Sequence, residues 1–381
     1  MNSAGPDQLF CADYHADRAL FLTDVQAFAQ RTCRTLALHH HSVDADRDLT
    51  VTAAELPARR PERVYVLCTG IHGIEGFAGS AIARQLLRGL LDRLDRQSTT
   101  LLLVHALNPH GFARFERVNG NNVDLNRNCE AHAEALFSTD SRAFAAFASV
   151  LAPERPVRFT LASQLRFRLA LLAMLQKHGA QALRQASLAG QYVARRGIFF
   201  GGERIEPEIA FFQALYERIA QRHAEVLLTD LHTGYGARGQ AYPLFGQADS
   251  PEFRGFIELG VTDRRGTDKA YTVHGDLVAY CYKTAKRVRP AGRFNGLVIE
   301  IGTRGLSVLD QMRDLYTVVA ENQLRQHGAI DAAAAQRVRD EFRELFCPSS
   351  PQWRAQAVRS GVRAVERLLE SRHYLRPISA S

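Results

Sequence analysis

The chain has 381 residues, of which 46% are hydrophobic, a proportion that allows a globular protein with a substantial core. The formal net charge is +8, but the basic residues form no dense block interleaved with aromatic residues, so we expect no nucleic-acid partner. No stretch approaches the roughly 20 apolar residues that span a bilayer, the N-terminus has no signal-peptide pattern, and six scattered cysteines without a C-x-x-C pair indicate reduced thiols. We therefore expect a cytoplasmic protein without a membrane partner.

Residues 1–48 form a lead-in. Arg18–Arg31 has the apolar spacing of a helix, and Leu49–Leu56 begins with the alternation of a strand. The three histidines of the run His39–His41 resemble a metal cluster. Successive side chains of a strand point to opposite faces, so we interpret this run as a surface turn.

The stretch Val64–Glu75, VYVLCTGIHGIE, predicts a strand that ends in a bent loop. Its apolar run is short and rich in Val, Leu and Ile, as in strands that are buried on both faces. Glycines in and after the stretch mark a sharp turn before a helical pattern. His72 and Glu75 therefore lie where a strand leads into a helix, which is where open α/β sheets form their sites. The pair can hold one zinc ion, although His-x-x-Glu is short enough to occur by chance.

Polar residues concentrate after the next predicted strand, Thr100–Leu107. They are Arg114, Arg117, Asp124, Asn126 and Arg127. An arginine can bind a carboxylate through two parallel hydrogen bonds, and a neighbouring Asn amide can add a third. This density favours a site that grips a substrate over an ordinary solvated loop.

Residues 129–224 are mainly helical in pattern and separate two strand units, so we expect an insertion that walls a cleft. Within it, Gly190–Gly202 combines polar and basic residues with glycines. A substrate-shaping loop and an ordinary connector are equally good interpretations of this segment, and the role of the insertion stays open.

The stretch Glu225–Gly236 repeats the pattern of an apolar strand followed by a histidine and glycines. Asp230 and His232 are two residues apart, so on a strand they face the same way. A carboxylate there can orient the imidazole, although an arginine partner is an equal alternative. A lone histidine in such a place is usually structural. Because the chain already offers His72 and Glu75, His232 is the natural third ligand.

Glu300 lies inside the apolar run of Gly296–Gly305. A glutamate inside a buried strand is costly unless it is paired or functional. A salt bridge to an arginine such as Arg304 is the structural alternative. Residues 308–376 return to helical patterns in which we find no chemistry.

Three predicted strand ends thus offer two histidines and two glutamates, and a fourth offers the Asn/Arg cluster. Two His and one Glu with an open position for water form a known catalytic zinc site. Zinc lowers the pKa of bound water toward about 7, and a second carboxylate can take the proton.

The order of His72-x-x-Glu75, NVDLNRN (Asn122–Asn128), His232 and Glu300 resembles the zinc carboxypeptidase (funnelin) family. The resemblance covers roughly residues 49–305, and GIHGIEGFAGSAI is similar to a bacterial, mostly uncharacterised subgroup. The resemblance to zinc carboxypeptidases implies one α/β zinc-hydrolase domain over residues 1–381. Its expected fold is a central mixed, mostly parallel twisted sheet that is flanked by helices and carries a helical insertion.

The resemblance also implies a role for each matched residue. His72, Glu75 and His232 would bind one zinc ion per chain, and Asp124 would accept a hydrogen bond from His72. Asn126 and Arg127 would hold the substrate's free carboxylate, Glu300 would be the general base, and Arg117, or less favourably Arg114, would polarise the scissile carbonyl. The active-site tyrosine of the family has three alternative matches, Tyr271, Tyr280 and Tyr282.

The expected activity is that of a zinc metallopeptidase of the metallocarboxypeptidase type, acting on a small peptide with a free carboxylate. One alternative is a deacylase of N-acyl amino acids, as in the related succinylglutamate desuccinylase and aspartoacylase branch. A lower alternative is an inactive zinc-binding protein. The side-chain specificity and the oligomeric state are left open.

Overall fold

The computed structural model describes residues 9–130, 139–244 and 275–377. Seven strands form one sheet in this part of the chain. They are β1 (Ala37–Asp44), β2 (Leu49–Leu56), β3 (Arg63–Thr69), β4 (Thr99–His105), β5 (Glu225–Gly234), β6 (Ala241–Leu244) and β7 (Arg293–Gly302). Their order across the sheet is β1-β2-β4-β3-β5-β7-β6.

The centre of the sheet is parallel and its edges are antiparallel. Strands β4, β3, β5 and β7 run parallel, whereas the pairs β1–β2, β2–β4 and β6–β7 are antiparallel. Strands β3, β4 and β5 are buried along almost their whole length, which explains why their sequences are continuous apolar runs. The predicted mixed α/β sheet is confirmed.

Helices surround this sheet. They are α1 (Tyr14–Arg31), α2 (Gly76–Leu87), α3 (Pro109–Arg114), α4 (Thr139–Leu151), α5 (Leu161–Leu188), α6 (Pro207–Arg222), α7 (Leu277–Val288), α8 (Val308–His327), α9 (Ala332–Phe346) and α10 (Pro351–Ser371). Helix α5 is kinked at Gly179, whose φ of +83° interrupts the helical geometry. None of the described helices combines the length and the apolar character needed to cross a bilayer.

Two hydrophobic cores cover the two faces of the sheet. One contains Phe21 of α1, Ile82 of α2 and Trp353 of α10. The other contains Phe212 of α6 and Cys281 of α7. The strands are therefore enclosed between helical layers, and the ends of the parallel strands are where polar side chains can reach solvent.

A third core belongs to the predicted insertion. It joins Phe147 of α4 and Leu171 of α5 to Tyr316 of α8 and Val338 of α9. Among the described residues, no strand contributes to this core. Helices α4 and α5 therefore pack against the C-terminal helices rather than directly on the sheet.

The histidine run of the lead-in is not a surface turn, so that prediction is wrong. His39–His41 lie in β1, where the Nε2 of His39 is 2.9 Å from Glu55 and the Nδ1 of His40 is 3.2 Å from Thr52, both on β2. Side-chain partners on the neighbouring strand stabilise an extended conformation that the polar sequence did not suggest.

Candidate metal centre

The loop after β3 brings His72 and Glu75 to the end of the sheet. Gly70 turns the chain with a φ of +65°, which disfavours any residue with a side chain. A Cβ at this position would also lie 2.7 Å from the Cβ of Ala106. The following residues form a short helical turn, Gly73–Glu75, that leads into α2. The two predicted ligands therefore sit on a loop whose path is sterically fixed.

Gly73, between the two ligands, lies directly against the backbone of α3. A Cβ there would lie 2.1 Å from the carbonyl carbon of Gly111 and 2.3 Å from the nitrogen of Phe112. The N–H of Gly73 donates to the carbonyl of Arg117 at 3.1 Å, and the N–H of Ile74 donates to that of Glu116 at 2.9 Å. The ligand loop is thus held against the segment that carries Arg117.

His232 reaches the same place from β5. Its Nε2–H donates to Asp230 Oδ2 at 2.7 Å, because side chains two apart on a strand share a face. This bond leaves His232 Nδ1 facing the loop, where Glu75 Oε2 is 3.1 Å away. The predicted orientation of His232 by Asp230 is therefore present.

His72, Glu75 and His232 converge on one point, and their ligand atoms lie within 4.8 Å of one another. The Nδ1 of His72 is 3.0 Å from Glu75 Oε1 and 3.1 Å from His232 Nδ1. A carboxylate can only accept, so the close approach of Glu75 to His232 Nδ1 requires a proton or a cation between the two atoms. These two nitrogens and one carboxylate fit a metal ion.

Arg117 enters the centre from the other side. Its guanidinium donates from Nη1 to Glu75 Oε1 and from Nε to Asp124 Oδ2, both at 3.2 Å, and its Nη2 is 2.7 Å from His72 Nε2. Asp124 Oδ1 lies 3.2 Å from the same His72 nitrogen, as the resemblance implied. Arg114 instead donates to Glu116 at the surface, with 53% of its side chain exposed, so of the two arginines only Arg117 joins the centre.

The pKa values reflect this mixture of charges. Burial acts to raise the pKa of Glu75 and Asp124, but His72 beside Glu75 and Arg117 beside Asp124 outweigh it and hold both pKa values below their usual range. Burial acts to lower the pKa of His232, but Asp230 and Glu75 raise it well above its usual value. The centre therefore favours positive charge between its carboxylates.

Glu300 completes the negative charge of the centre. It is the register partner of His232 on the neighbouring strand β7. Burial raises its pKa to about 7. Within the described part of the chain, its Oε2 is buried without a hydrogen-bond partner. The alternative of a salt bridge to Arg304 is wrong, because that arginine contacts Asp314 and Glu341 instead.

Asn126 and Arg127 lie beside the centre, just after Asp124. Asn126 Oδ1 accepts a hydrogen bond from the backbone of Leu277 at 3.0 Å, and Arg127 Nη1 donates to the carbonyl of Asn126 at 2.7 Å. Both residues are buried. The first contact shows that the side-chain amide oxygen of Asn126 anchors the start of α7. The binding of a substrate carboxylate by Asn126 and Arg127 stays a prediction.

The segment Gly190–Gly202 packs on this polar stretch. Its Tyr192 hydroxyl donates to the carbonyl of Arg127 at 2.6 Å, and the carbonyl of Phe200 accepts from the N–H of Asp124 at 2.7 Å. The ring of Phe199 lies 5.6 Å from the guanidinium carbon of Arg117. The insertion therefore supports the centre, whether or not this segment also contacts a substrate.

The predicted tyrosines do not supply a clear match. Tyr271 lies outside the described residues. Tyr280 hydrogen bonds to Thr284 on its own helix, and the ring of Tyr282 packs on Phe294. Among the described contacts, neither tyrosine reaches the three ligands.

A tyrosine that the sequence analysis missed does share a register position with Glu300. It is Tyr242, on the edge strand β6, and the two side chains point to the same face of the sheet because their residues are paired. A Cβ at Gly236 would lie 2.4 Å from its ring. The usable signal was the Tyr-Pro pair ten residues after His232, since proline is confined to sheet edges.

Comparisons with known proteins add a family and several related folds. The sequence matches the family described as "Protein of unknown function (DUF2817)" over residues 10–360. A comparison with curated proteins found no match.

Three solved structures illustrate the similarity in fold. Carboxypeptidase A from Helicoverpa armigera has 12% identity and a TM-score of 0.45, covering 84% of this chain and 71% of that one. Murein-tripeptide amidase MpaA from Escherichia coli O157 has 18% identity and a TM-score of 0.37, covering 82% and 95%. Succinylglutamate desuccinylase from Chromobacterium violaceum has 10% identity and a TM-score of 0.34, covering 85% and 77%.

The first prediction concerns metal content. Purified protein supplied with zinc and then desalted should retain about one ion per chain by mass spectrometry. His72→Ala should weaken binding by more than the roughly 10- to 100-fold that loss of an outer hydrogen-bond partner costs. The exposed His15→Ala variant is the matched control and should bind like the wild type. A wild-type protein that retains no metal would contradict the assignment.

The second prediction concerns Gly73. Because its Cβ would overlap the backbone of α3, Gly73→Ala should destabilise the fold by roughly 1–3 kcal/mol. The backbone movement that relieves this overlap should also displace His72 and Glu75 and reduce the metal retained per folded chain. Gly89→Ala is the control, since a Cβ there meets no atom within 4 Å. Equal melting temperatures and equal metal content in the two variants would show that the loop is not constrained as the structure indicates.

Proposed function

The chain belongs to the DUF2817 family, and we propose that it is a zinc-dependent hydrolase that cleaves a peptide or amide bond beside a free carboxylate. The observation that carries the proposal is the convergence of His72, Glu75 and His232 beside Glu300, whose Oε2 has no hydrogen-bond partner among the described residues. Two histidines and one glutamate with an open position form the ligand set of known catalytic zinc sites. The motif resemblance to zinc carboxypeptidases supports the same assignment.

The charges of the centre also support a divalent cation. Glu75, Asp124, Asp230 and Glu300 can together carry four negative charges. Arg117 carries one positive charge and Arg127 acts on Asp124, while the raised pKa of His232 shows that the carboxylates hold a proton there when no cation takes its place. Zinc held by the three ligands would lower the pKa of a bound water and polarise a substrate carbonyl. The hydrogen bond from His232 to Asp230 would fix the orientation of that imidazole and strengthen it as a ligand, and Asp124 would do the same for His72 where the Nε2 of His72 donates to it.

Glu300 is the proposed general base. As a carboxylate it would accept a proton from the attacking water and then deliver that proton to the leaving nitrogen. A base with a pKa near neutrality can do both, and burial raises the pKa of Glu300 to about 7. Its position next to His232 in the register of the sheet supports this role.

The proposal assigns substrate positioning to the basic residues around the ligands. The guanidinium of Arg117 lies among the ligand side chains, where its N–H groups could stabilise negative charge that develops on the carbonyl oxygen. Asn126 and Arg127 would hold the free carboxylate of the substrate through charge-assisted hydrogen bonds. Tyr242, paired with Glu300 across the sheet, is an additional residue on the substrate side.

A substrate panel tests the hydrolase proposal. The panel contains a dansylated peptide with a free C-terminal carboxylate, the same peptide amidated at its C-terminus, and an N-acyl amino acid. We expect zinc-dependent cleavage of the free peptide, slowed by roughly 30-fold or more in the amidated form because a buried charge pair is lost. Turnover of the N-acyl amino acid alone would identify a deacylase. Retained zinc without turnover of any amide would overturn the hydrolase proposal.

The third prediction isolates the base. Glu300→Gln keeps the shape of the side chain but removes its ability to accept a proton, so turnover should fall by about 100- to 10,000-fold. Its zinc content should match that of the wild type. The exposed Glu62→Gln variant should keep full activity as a control. Near-normal turnover by Glu300→Gln would refute the base assignment.

The fourth prediction is a pH dependence. Glu300 must be ionised to act as a base, so kcat/KM should rise with pH and be half-maximal at or below about pH 7, since a bound cation favours the carboxylate. Arg117 also lowers the pKa of Glu300, so Arg117→Gln should shift this acidic limb to higher pH. An acidic limb of the kcat/KM profile centred well above pH 7 in the wild type would contradict this electrostatic account. So would an acidic limb at the same pH in Arg117→Gln as in the wild type.

A further inference from the structure

Helix α5 presents a row of leucines to solvent. Leu161, Leu165, Leu169 and Leu172 are 84%, 57%, 57% and 47% exposed. Their spacing of four, four and three residues places them on one face of the helix. The opposite face buries Phe167 and Leu171 in the third core. The helix is therefore apolar on both sides, and packing within the fold accounts for only one of them.

The exposed leucine face is broad and smooth. The four leucines span about 80° of the helix circumference and about 17 Å of its length. The exposed alanines Ala162 and Ala173 widen the apolar arc to about 120°. No aromatic side chain lies on this face, although aromatic residues are typical of the centre of a protein–protein interface.

The leucine face lies in a long segment of the chain that has basic residues but no acidic ones. Residues 155–202 contain eight basic residues and no Asp or Glu. They are Arg155, Arg158, Arg166, Arg168, Lys177, Arg184, Arg195 and Arg196. The other 40 basic residues equal the 40 acidic ones, so this segment alone accounts for the net charge of +8. On α5 itself, helical geometry places Arg168 on one flank of the leucines and Arg166 and Lys177 on the other.

The combination of exposed leucines and basic flanks indicates whether a second copy of the chain or a lipid bilayer covers the leucine face. A symmetric contact with a second copy would bring the basic flanks of two α5 helices together, and like charges repel across an interface. A bilayer with anionic lipids satisfies both features, because leucines enter the acyl boundary while flanking arginines and lysines reach the phosphates. The described helices cannot span a bilayer, so such contact lies in the plane of the membrane surface.

We propose that α5 docks the protein on membranes that contain anionic phospholipids, with its leucine face inserted at the boundary between headgroups and acyl chains. The basic residues that flank the leucines on α5 provide the electrostatic attraction, and the leucines provide the apolar contact. This proposal is independent of the proposed hydrolase activity, since it uses neither the metal ligands nor Glu300.

Sedimentation with lipid vesicles tests this docking. The full-length protein is mixed with vesicles of phosphatidylcholine alone or with about 30% phosphatidylglycerol, and the bound fraction is measured. We expect the partition coefficient to be at least about fivefold higher on the anionic vesicles. Salt at about 0.5 M should reverse most of this gain, because the Debye length falls to a few ångströms. Equal binding to both vesicles would overturn the proposal.

Paired variants locate the contact on α5. Leu165→Asp with Leu169→Asp should reduce binding to the anionic vesicles to the level seen with phosphatidylcholine alone. The control carries the same change at two exposed residues elsewhere, Leu20→Asp with Ile330→Asp, and should bind like the wild type. Circular dichroism checks that both variants are folded. Unchanged binding by the α5 variant, or equal loss in the control, would overturn the proposal.

A charge variant tests whether the basic flanks cause the lipid preference, and the oligomeric state tests whether a second copy covers the leucine face. Arg166→Gln with Arg168→Gln and Lys177→Gln removes all three basic residues that flank the leucines on α5 but keeps every leucine, so it should lose most of the preference for anionic vesicles. Retention of that preference would exclude the basic flanks as its source and overturn the proposal. Size-exclusion chromatography of the wild type should show no dimer that Leu165→Asp with Leu169→Asp dissociates. Such a dimer would assign the leucine face to a second copy instead.

Discussion

The centre depends on buried side chains held so close together that a proton or a cation must lie between them. Asp230 accepts a hydrogen bond from His232, which turns the Nδ1 of His232 toward the carboxylate of Glu75 at 3.1 Å. Buried acceptors that face each other are unstable without a shared proton or cation. The fold nevertheless holds them there, through the steric fit of Gly73 on α3 and the register of β5. A protein that only needed a stable core would replace this arrangement with apolar side chains.

The parallel centre of the sheet explains how residues more than 200 positions apart meet. His72 follows β3, His232 ends β5 and Glu300 ends β7, and these strands are adjacent and run in one direction. Their carboxyl ends therefore lie along one edge, and each can contribute a side chain there without disturbing the core. The antiparallel strand β6 then adds Tyr242 to the same row. The candidate site residues lie at the strand ends, while the strand interiors stay apolar and supply stability.

The insertion between β4 and β5 has two faces with different physical character. Its inner residues form a third core with the C-terminal helices, and its segment Gly190–Gly202 contacts Asp124 and Arg127 beside the metal centre. Its outer surface carries the exposed leucines of α5, which helical geometry places between Arg168 on one flank and Arg166 and Lys177 on the other. From the sequence, we expected no membrane partner, because no stretch approaches the length of apolar residues that spans a bilayer. The proposed docking surface instead depends on which leucines packing leaves uncovered.

The local sequence was sufficient to predict the buried strands and the candidate site residues at their ends. Continuous apolar runs predicted the buried strands, and glycines with polar residues at their ends indicated His72, Glu75, His232 and Glu300, because burial penalises charge unless it has a purpose. Tertiary structure alone decided which of two nearby arginines joins the centre, since Arg114 turns to Glu116 while Arg117 reaches Glu75. It also decided that Tyr242 pairs with Glu300 and that α5 leaves one apolar face exposed. Such outcomes depend on strand pairing and helix packing between residues distant in the chain, and helical or strand periodicity does not specify those partners.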